Sequence, residues 1–333
     1  MAKQTTIEEY SASIEVPALI KAKKLAGGHL VKKENRQIKY SGGFCVVFPF
    51  ENKGKRYAVR CWFVAITDIQ NRAQHIAKAI NESRLPYFAE FEYVKNGIMT
   101  PQGIQPIVIM DWIEALPFKK YISQSISRPK LLYKLAETFR IMVEELHKAH
   151  FAHGDLQHGN IMVKNDGSII LVDYDSMYVP SLAGCSDEIK GLAGYQHPAR
   201  WKNKILTEKV DYFSELIIYT SIIGLAKFPD LWTRLNLEDS ETMLFSADDI
   251  SSPETSQIYA ILSNDSDLQP LVNKIQEFLS KDDLNELQPL EMAVIDQTSL
   301  YIDGLREKWK HNGYIKAPPV DIGRTAMTIS KKW

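Results

Sequence analysis

The apolar and polar positions of this chain change their period near its middle. Up to about Trp112 the pattern is that of strands. Gly43 to Phe50 is a run of aromatic and β-branched residues, Glu51 to Arg56 with Gly54 at its centre has turn composition, and Tyr57 to Val64 is a second such run. Together they predict a β-hairpin. Ile69, Ala73, Ile76, Ala77 and Ile80 then recur at helical spacing, after Asp68 as a candidate N-cap. Tyr87 to Val94 and Pro106 to Trp112 are again strand-like. From Arg128 to His150 the period becomes helical, with Leu131, Leu132, Leu135, Phe139, Met142, Val143 and Leu146 on one face. Tyr212 to Leu225 is apolar nearly all round, which predicts a buried helix, and Leu268 to Leu279 is amphipathic. A last helical segment lies around Ile302 to Trp309, before Ala317-Pro318-Pro319 and a basic end. The order is a small β-rich lobe with one helix, a connector, then a larger helical lobe.

Composition narrows the class. A chain of 333 residues suffices for two lobes with a core each. A formal net charge of −1 argues against a general nucleic-acid binder, which would carry a basic excess. Cys45, Cys61 and Cys185 are far apart and form no CxxC pair, so neither a disulfide framework nor a structural zinc site is expected. The first residues lack the apolar core of a signal peptide. The longest apolar stretch, within Ile217 to Phe228, is interrupted by Thr220, Ser221 and Lys227 and is too short for a bilayer. The expectation is a soluble, cytoplasmic protein with neither nucleic acid nor membrane as partner.

The densest chemical signal is His153-Gly154-Asp155-Leu156-Gln157-His158-Gly159-Asn160, followed thirteen residues after Asn160 by Asp173-Tyr174-Asp175. Between them, Ile161-Met162-Val163 and Ile169 to Val172 flank the turn Asn165-Asp166-Gly167. The segment reads as loop, strand, turn, strand, acidic loop. Phosphoryl transfer needs a carboxylate to orient a hydroxyl and take its proton, and oxygen ligands to hold Mg²⁺ against phosphates. Asp155 suits the first task, and Asn160 and Asp173 the second, because a hairpin brings them to one end.

These residues resemble the protein kinases. HGDLQHGN is similar to the catalytic loop H-R-D-x-x-x-x-N, and DYD resembles D-F-G. The resemblance covers about residues 38 to 280. Tyr57-Ala58-Val59-Arg60 looks like the V-A-I-K strand, and Gly42-Gly43-Phe44 stands where a phosphate-covering loop would be. Pro106 to Ile113 resembles the last small-lobe strand and hinge. By that likeness Met110 is the gatekeeper, and the backbone of Asp111 and Ile113 binds adenine. Tyr195-Gln196-His197-Pro198 resembles the end of the activation segment. Asp211-Tyr212-Phe213-Ser214 resembles the start of the central large-lobe helix, where a buried aspartate ties down the catalytic loop. The pieces HGDLQHGN, LVDYDSMYVP and YQHPAR together look like a bacterial family of kinase-like proteins. The resemblance implies an α+β, bilobal protein-kinase-like fold, with a β-rich N-lobe over 38–112 and a mainly helical C-lobe over 113–281. An N-terminal extension, 1–37, and a C-terminal helix and basic tail, 282–333, flank them. Ile14, Val16, Leu19 and Ile20 are apolar positions of the extension whose docking on the small lobe the sequence leaves open.

The chain departs from the pattern in four places. Arg60 stands where lysine is expected, and the planar guanidinium is no equivalent of a compact ammonium. The helix after it offers no mid-helix glutamate: Arg72, Gln74 and Lys78 occupy its middle, and Glu82 lies near its end. Lys53 and Lys55 are alternative phosphate charges or solvated turn residues. The glycine loop is thin, with Tyr40 and Cys45 at two of three glycine positions. Gly154 replaces the arginine of H-R-D, and Gln157, a candidate on the nucleotide side, replaces the lysine two places after the catalytic aspartate. H-G-D is also what aminoglycoside and choline kinases show. His158 and His197 are expected to be structural, their spacing being wrong for zinc.

Three functions compete. One is an ATP- and Mg²⁺-dependent phosphotransferase, with a protein Ser/Thr or small-molecule hydroxyl as acceptor. The second is a pseudokinase that senses nucleotide or acts as a scaffold. The third is adenylyl transfer.

Overall fold

The structure, a computed structural model, describes residues 4–64 and 69–294. It is α+β, with antiparallel sheets and helices in largely separate stretches of chain. The described chain divides after Glu114 into two compact units.

In the first unit the strand order is His29–Leu30, Cys45–Asn52, Lys55–Trp62, Gly103–Asp111, Phe91–Thr100, with Tyr40–Ser41 also paired to Cys45–Asn52. The predicted hairpin is present. Asn52 faces Lys55, and Lys53 and Gly54 close the turn with φ of 51° and 75°. Two left-handed residues in a two-residue loop match the twist of the strands they join. The next hairpin differs from its prediction. Its first strand begins at Phe91 and runs past Val94 to Thr100, with a register shift between Val94 and Ile98. Gly97 lies in that irregularity. Its carbonyl accepts the N–H groups of Lys21 and Ala22 at 2.8 and 3.1 Å, and a Cβ there would lie 2.3 Å from Ile107 Cγ1.

The chain before residue 38 joins the core of this unit. The helix Ile7–Ile14 starts with a reciprocal capping box between Thr6 and Glu9. Tyr10 and Ile14, then Ala22 and Leu25, pack against Phe48, Val59 and Ile109. The Tyr10 hydroxyl donates to the Trp62 carbonyl at 3.1 Å. Val16, in contrast, is 44% exposed. Strand alternation puts Val59 and Cys61 under this cover, and Ala58, Arg60 and Trp62 on the other face of the sheet. The helix Ile69–Ser83 packs along Phe91–Thr100. Trp62 and Tyr93 rings lie 6.4 Å apart beside it, and Tyr93 Oη donates to Gln70 at 3.4 Å.

In the second unit the helices Pro129–Lys148 and Tyr212–Lys227 pack against each other. The first buries the stripe Leu132, Leu135, Phe139, Met142, Val143, Leu146, as its period predicts, while Leu131, expected on the same face, is only half-buried. It ends two residues before the predicted His150, whose φ of 57° turns the chain so that Phe151 N–H caps the Leu146 carbonyl. Every residue of the second helix from Tyr212 to Ala226 is buried, and Lys227 at its end reaches Asp265 and Asp267 at 2.6 and 2.5 Å. His147 joins the two helices and the short helix Leu290–Ala293, its ring nitrogens 2.8 Å from Glu215 and 2.9 Å from Glu291. The strands Ile161–Val163 and Ile169–Leu171 form a hairpin, with Leu116–Pro117 as third strand. The amphipathic stretch near residue 270 is the helix Gln269–Leu279. The Asp68 N-cap and the helical segment around Ile302 to Trp309 lie outside the described residues. Among the described residues, no helix is long and apolar enough to cross a membrane.

Candidate active site

The loop after the Pro129–Lys148 helix is fixed by its backbone. Asp211, 2% exposed and immediately before the Tyr212–Lys227 helix, accepts the N–H of His153, and its two oxygens lie 3.1 and 3.0 Å from the Gly154 nitrogen. One carboxylate thus satisfies two N–H groups that would otherwise be buried without partners. The His153 ring ties the loop to the strand that follows. Its Nε2 donates to the Val172 carbonyl at 2.9 Å, and its Nδ1 accepts the Asp155 N–H at 3.4 Å. Gly154 has φ +76°, and a Cβ there would come within 2.0 Å of the Ser176 carbonyl oxygen. This position therefore takes glycine, where the resemblance wants arginine.

Asp155 and Asn160 meet. Asn160 Nδ2 donates to the Asp155 carbonyl at 2.7 Å and to Asp155 Oδ2 at 3.0 Å. With its nitrogen committed as donor, the amide keeps Oδ1 as an acceptor. The Asn160 carbonyl accepts the Val172 N–H at 2.9 Å, so the hairpin that starts after Asn160 returns beside it just before Asp173. Asp173 has φ 66°. A non-glycine residue in the left-handed region is uncommon and concentrates at functional sites. Tyr174 turns inward, 1% exposed, its hydroxyl on the Leu171 carbonyl at 2.7 Å. Burial raises the Asp155 carboxyl above its ordinary range; His153 opposes this, the Asp173 charge adds to it, and the hydrogen bonds from Asn160 and the Leu192 N–H hold it down.

The remaining site candidates divide between the units. Gln157 caps its own turn, with Oε1 accepting the Gly159 N–H at 2.8 Å. Gly42, Gly43, Arg60, Met110, Asp111 and Ile113 belong to the first unit. Gly42 N–H donates to the Cys45 carbonyl at 3.0 Å, which leaves Gly43 and Phe44 as a short, exposed turn between paired strands. Arg60 faces Val108, and Ala58 faces Met110, so Arg60 and Met110 share the sheet face opposite the Tyr10 cover. Arg60 is 4% exposed and not a surface residue, and its Nε lies 3.0 Å from Cys45 Sγ. Glu82 makes a surface pair with Lys78 at 3.9 Å. Lys55 is paired with Asp111 at 2.8 Å. The Asp111 N–H donates to the Glu90 carbonyl at 3.1 Å, and Ile113 is half-buried just beyond.

The two histidines expected to be structural are so engaged. His158 Nδ1 lies 2.7 Å from Tyr195 Oη, and His197 Nε2 donates to the Phe278 carbonyl at 2.8 Å. No group of three or more His, Cys, Asp or Glu residues able to hold a metal occurs among the described residues. Sequence reasoning missed Asp187, the Leu192 N–H and Arg200. Leu192 N–H donates to Asp155 Oδ1 at 3.2 Å, and Arg200 is fully buried against Asp187. Arg200 closes the YQHPAR motif, a signal that pointed to the segment but not to its partner.

A loop pinned by a buried aspartate, a carboxylate held by an asparagine five residues on, and a second carboxylate at the end of the intervening hairpin are the arrangement that the kinase resemblance implies. The comparison with protein families agrees. Residues 97–180 match the ABC1 atypical kinase-like domain, within the protein-kinase-like superfamily. The match begins in the Phe91–Thr100 strand and runs through both motifs to Pro180. No curated protein matches the chain.

Proposed function

We propose that the chain is an ATP- and Mg²⁺-dependent phosphotransferase acting on a hydroxyl of a protein Ser/Thr residue or of a small molecule. The observation that carries this reading is the Asp155–Asn160 hydrogen bond of 3.0 Å in a loop pinned by Asp211. Asp155 orients the incoming hydroxyl and takes its proton, and a carboxyl raised by burial is the better base. Asn160 and Asp173 offer hard oxygen donors, two protein ligands being enough for an ion that keeps water and phosphate oxygens around it. When bound, Mg²⁺ supplies charge neutralisation at the transferring phosphate. In the small lobe, 38–112, Gly42 and Gly43 approach the phosphates, Arg60 steadies them, and Met110 with the backbone of Asp111 and Ile113 frames adenine. Gly154 in place of an arginine favours a site that does not await a phosphorylated segment. The test is ADP release with Mg²⁺ and ATP, for the parent and for Asp155→Asn. A folded variant as active as the parent contradicts the mechanism.

Two observations favour a second reading, that of a pseudokinase. Arg60 engages the Cys45 thiol, and Glu82 is paired on the surface with Lys78. Under that reading nucleotide stabilises the protein without turnover. Release of pyrophosphate in place of ADP would mark adenylyl transfer.

A further inference from the structure

The chain from Asp187 to Arg200 is held to the catalytic loop at two adjacent residues. Arg200, with no exposed surface, forks onto Asp187, Nε to Oδ2 and Nη2 to Oδ1 both at 2.9 Å. Its Nη1 donates to the Gly154 carbonyl at 2.5 Å and to Gln196 Oε1, and its Nη2 also reaches the Ile189 carbonyl at 3.2 Å. Lys190 adds a second cation, 3.1 Å from Asp187 Oδ2. Two residues along, Leu192 N–H donates to Asp155 Oδ1 at 3.2 Å. Gly191 makes that approach feasible. Its φ is +75°, and a Cβ there would lie 2.5 Å from Asp155 Oδ1 and 3.0 Å from Gln196 Nε2. Asp155 thereby has both oxygens fixed, one by Asn160 and one by this segment.

We propose that Arg200 and Asp187 are a positioning pair that replaces the missing loop arginine and locks the 187–192 segment so that the Leu192 N–H orients Asp155 without any phosphorylation. The inference rests on the phosphotransferase reading for its catalytic consequence, but not for its geometry. A phosphate on a segment orders it by pairing with an arginine. Here the carboxylate of Asp187 is built in, and the bidentate fork fixes direction as well as distance. The arginine comes from the far end of the segment, because the Ser176 carbonyl leaves no room for a side chain at position 154.

The experiment uses the full chain, treated with phosphatase and checked by intact mass. Two quantities are read: kcat and KM for ADP release with Mg²⁺ and ATP, and amide hydrogen exchange at Leu192. The parent is expected to keep its rate after phosphatase, with slow exchange at Leu192. Arg200→Lys and Asp187→Asn are expected to lower kcat about 100-fold while KM for ATP stays within about twofold. Exchange at Leu192 quickens in both, because the segment is no longer held. Gly191→Ala leaves the ion pair in place and disturbs only the Leu192 approach to Asp155; it is expected to show the same fall in kcat, and a parental kcat in it overturns the proposal should the buried variants fail to fold. Loss of the parent's rate on phosphatase treatment, or folded variants with parental kcat and parental Leu192 exchange, overturns the proposal. If the parent shows no turnover, exchange alone decides: protection in the parent that the variants lose supports the lock while the phosphotransferase reading falls, and equal exchange in all overturns the lock.

Discussion

Asn160 Nδ2 stands 3.0 Å from Oδ2 of Asp155 and 2.7 Å from its carbonyl oxygen, so the candidate metal ligand also sets the angle of the candidate base. Under the proposed function, one side chain couples metal and base.

Replacing the donor tests that coupling. Asn160→Asp puts a second carboxylate against Asp155, where like charges disfavour ionisation. The expected outcome is a fall in kcat of about 100-fold and an acid limb of the pH–rate profile moved to higher pH. An unmoved limb would mean that Asn160 does not act on Asp155.

Asp211 holds the loop itself. Asp211→Ala leaves the N–H groups of His153 and Gly154 without their carboxylate. A loss of about 3 kcal/mol or more in urea unfolding is expected, since hydrogen bonds to a buried charged acceptor are the costly ones to break. Asp211→Asn keeps one acceptor oxygen and loses less.

Restoring the arginine of the resemblance does not restore function. Gly154→Arg forces a side chain into the Ser176 carbonyl at a left-handed φ of +76°. The variant is expected to be destabilised by more than about 1 kcal/mol, read as a lower melting temperature, with activity lost as well.

His147 predicts a pH dependence of stability. Burial alone would lower its pKa, but the carboxylates of Glu215 and Glu291 win and raise it from the ordinary 6.5 to about 10. Between these values the folded chain holds a proton that the unfolded chain has lost. The contribution is therefore complete below pH 6.5 and disappears as pH rises through about 10. Unfolding free energy is expected to fall over that window in the parent, and less steeply in His147→Gln.

Much of this was legible in the residues. The hairpin turn at Lys53-Gly54, the stripe of the Pro129–Lys148 helix and the apolar run of Tyr212–Lys227 carry their periods in plain view. The 153–160 loop and DYD were legible because the motif residues lie within a short span. Where prediction fell short, distant contacts decided. The strand-like pattern stopped at Val94, yet the strand runs on to Thr100 through Gly97, whose carbonyl takes the N–H groups of the distant Lys21 and Ala22. The helix Ile7–Ile14 has only eight residues, and its apolar positions gain meaning from the sheet beneath. Asp187 and Arg200 lie thirteen residues apart in a segment without period, and no local pattern pairs them.

The most direct measurement is thermal stability with and without ATP and Mg²⁺, for the parent and for Asp173→Ala. Stabilisation of the parent by ATP only when Mg²⁺ is present, and loss of that effect in the variant, is the predicted result. A parent unmoved by nucleotide and metal together would contradict the phosphotransferase reading.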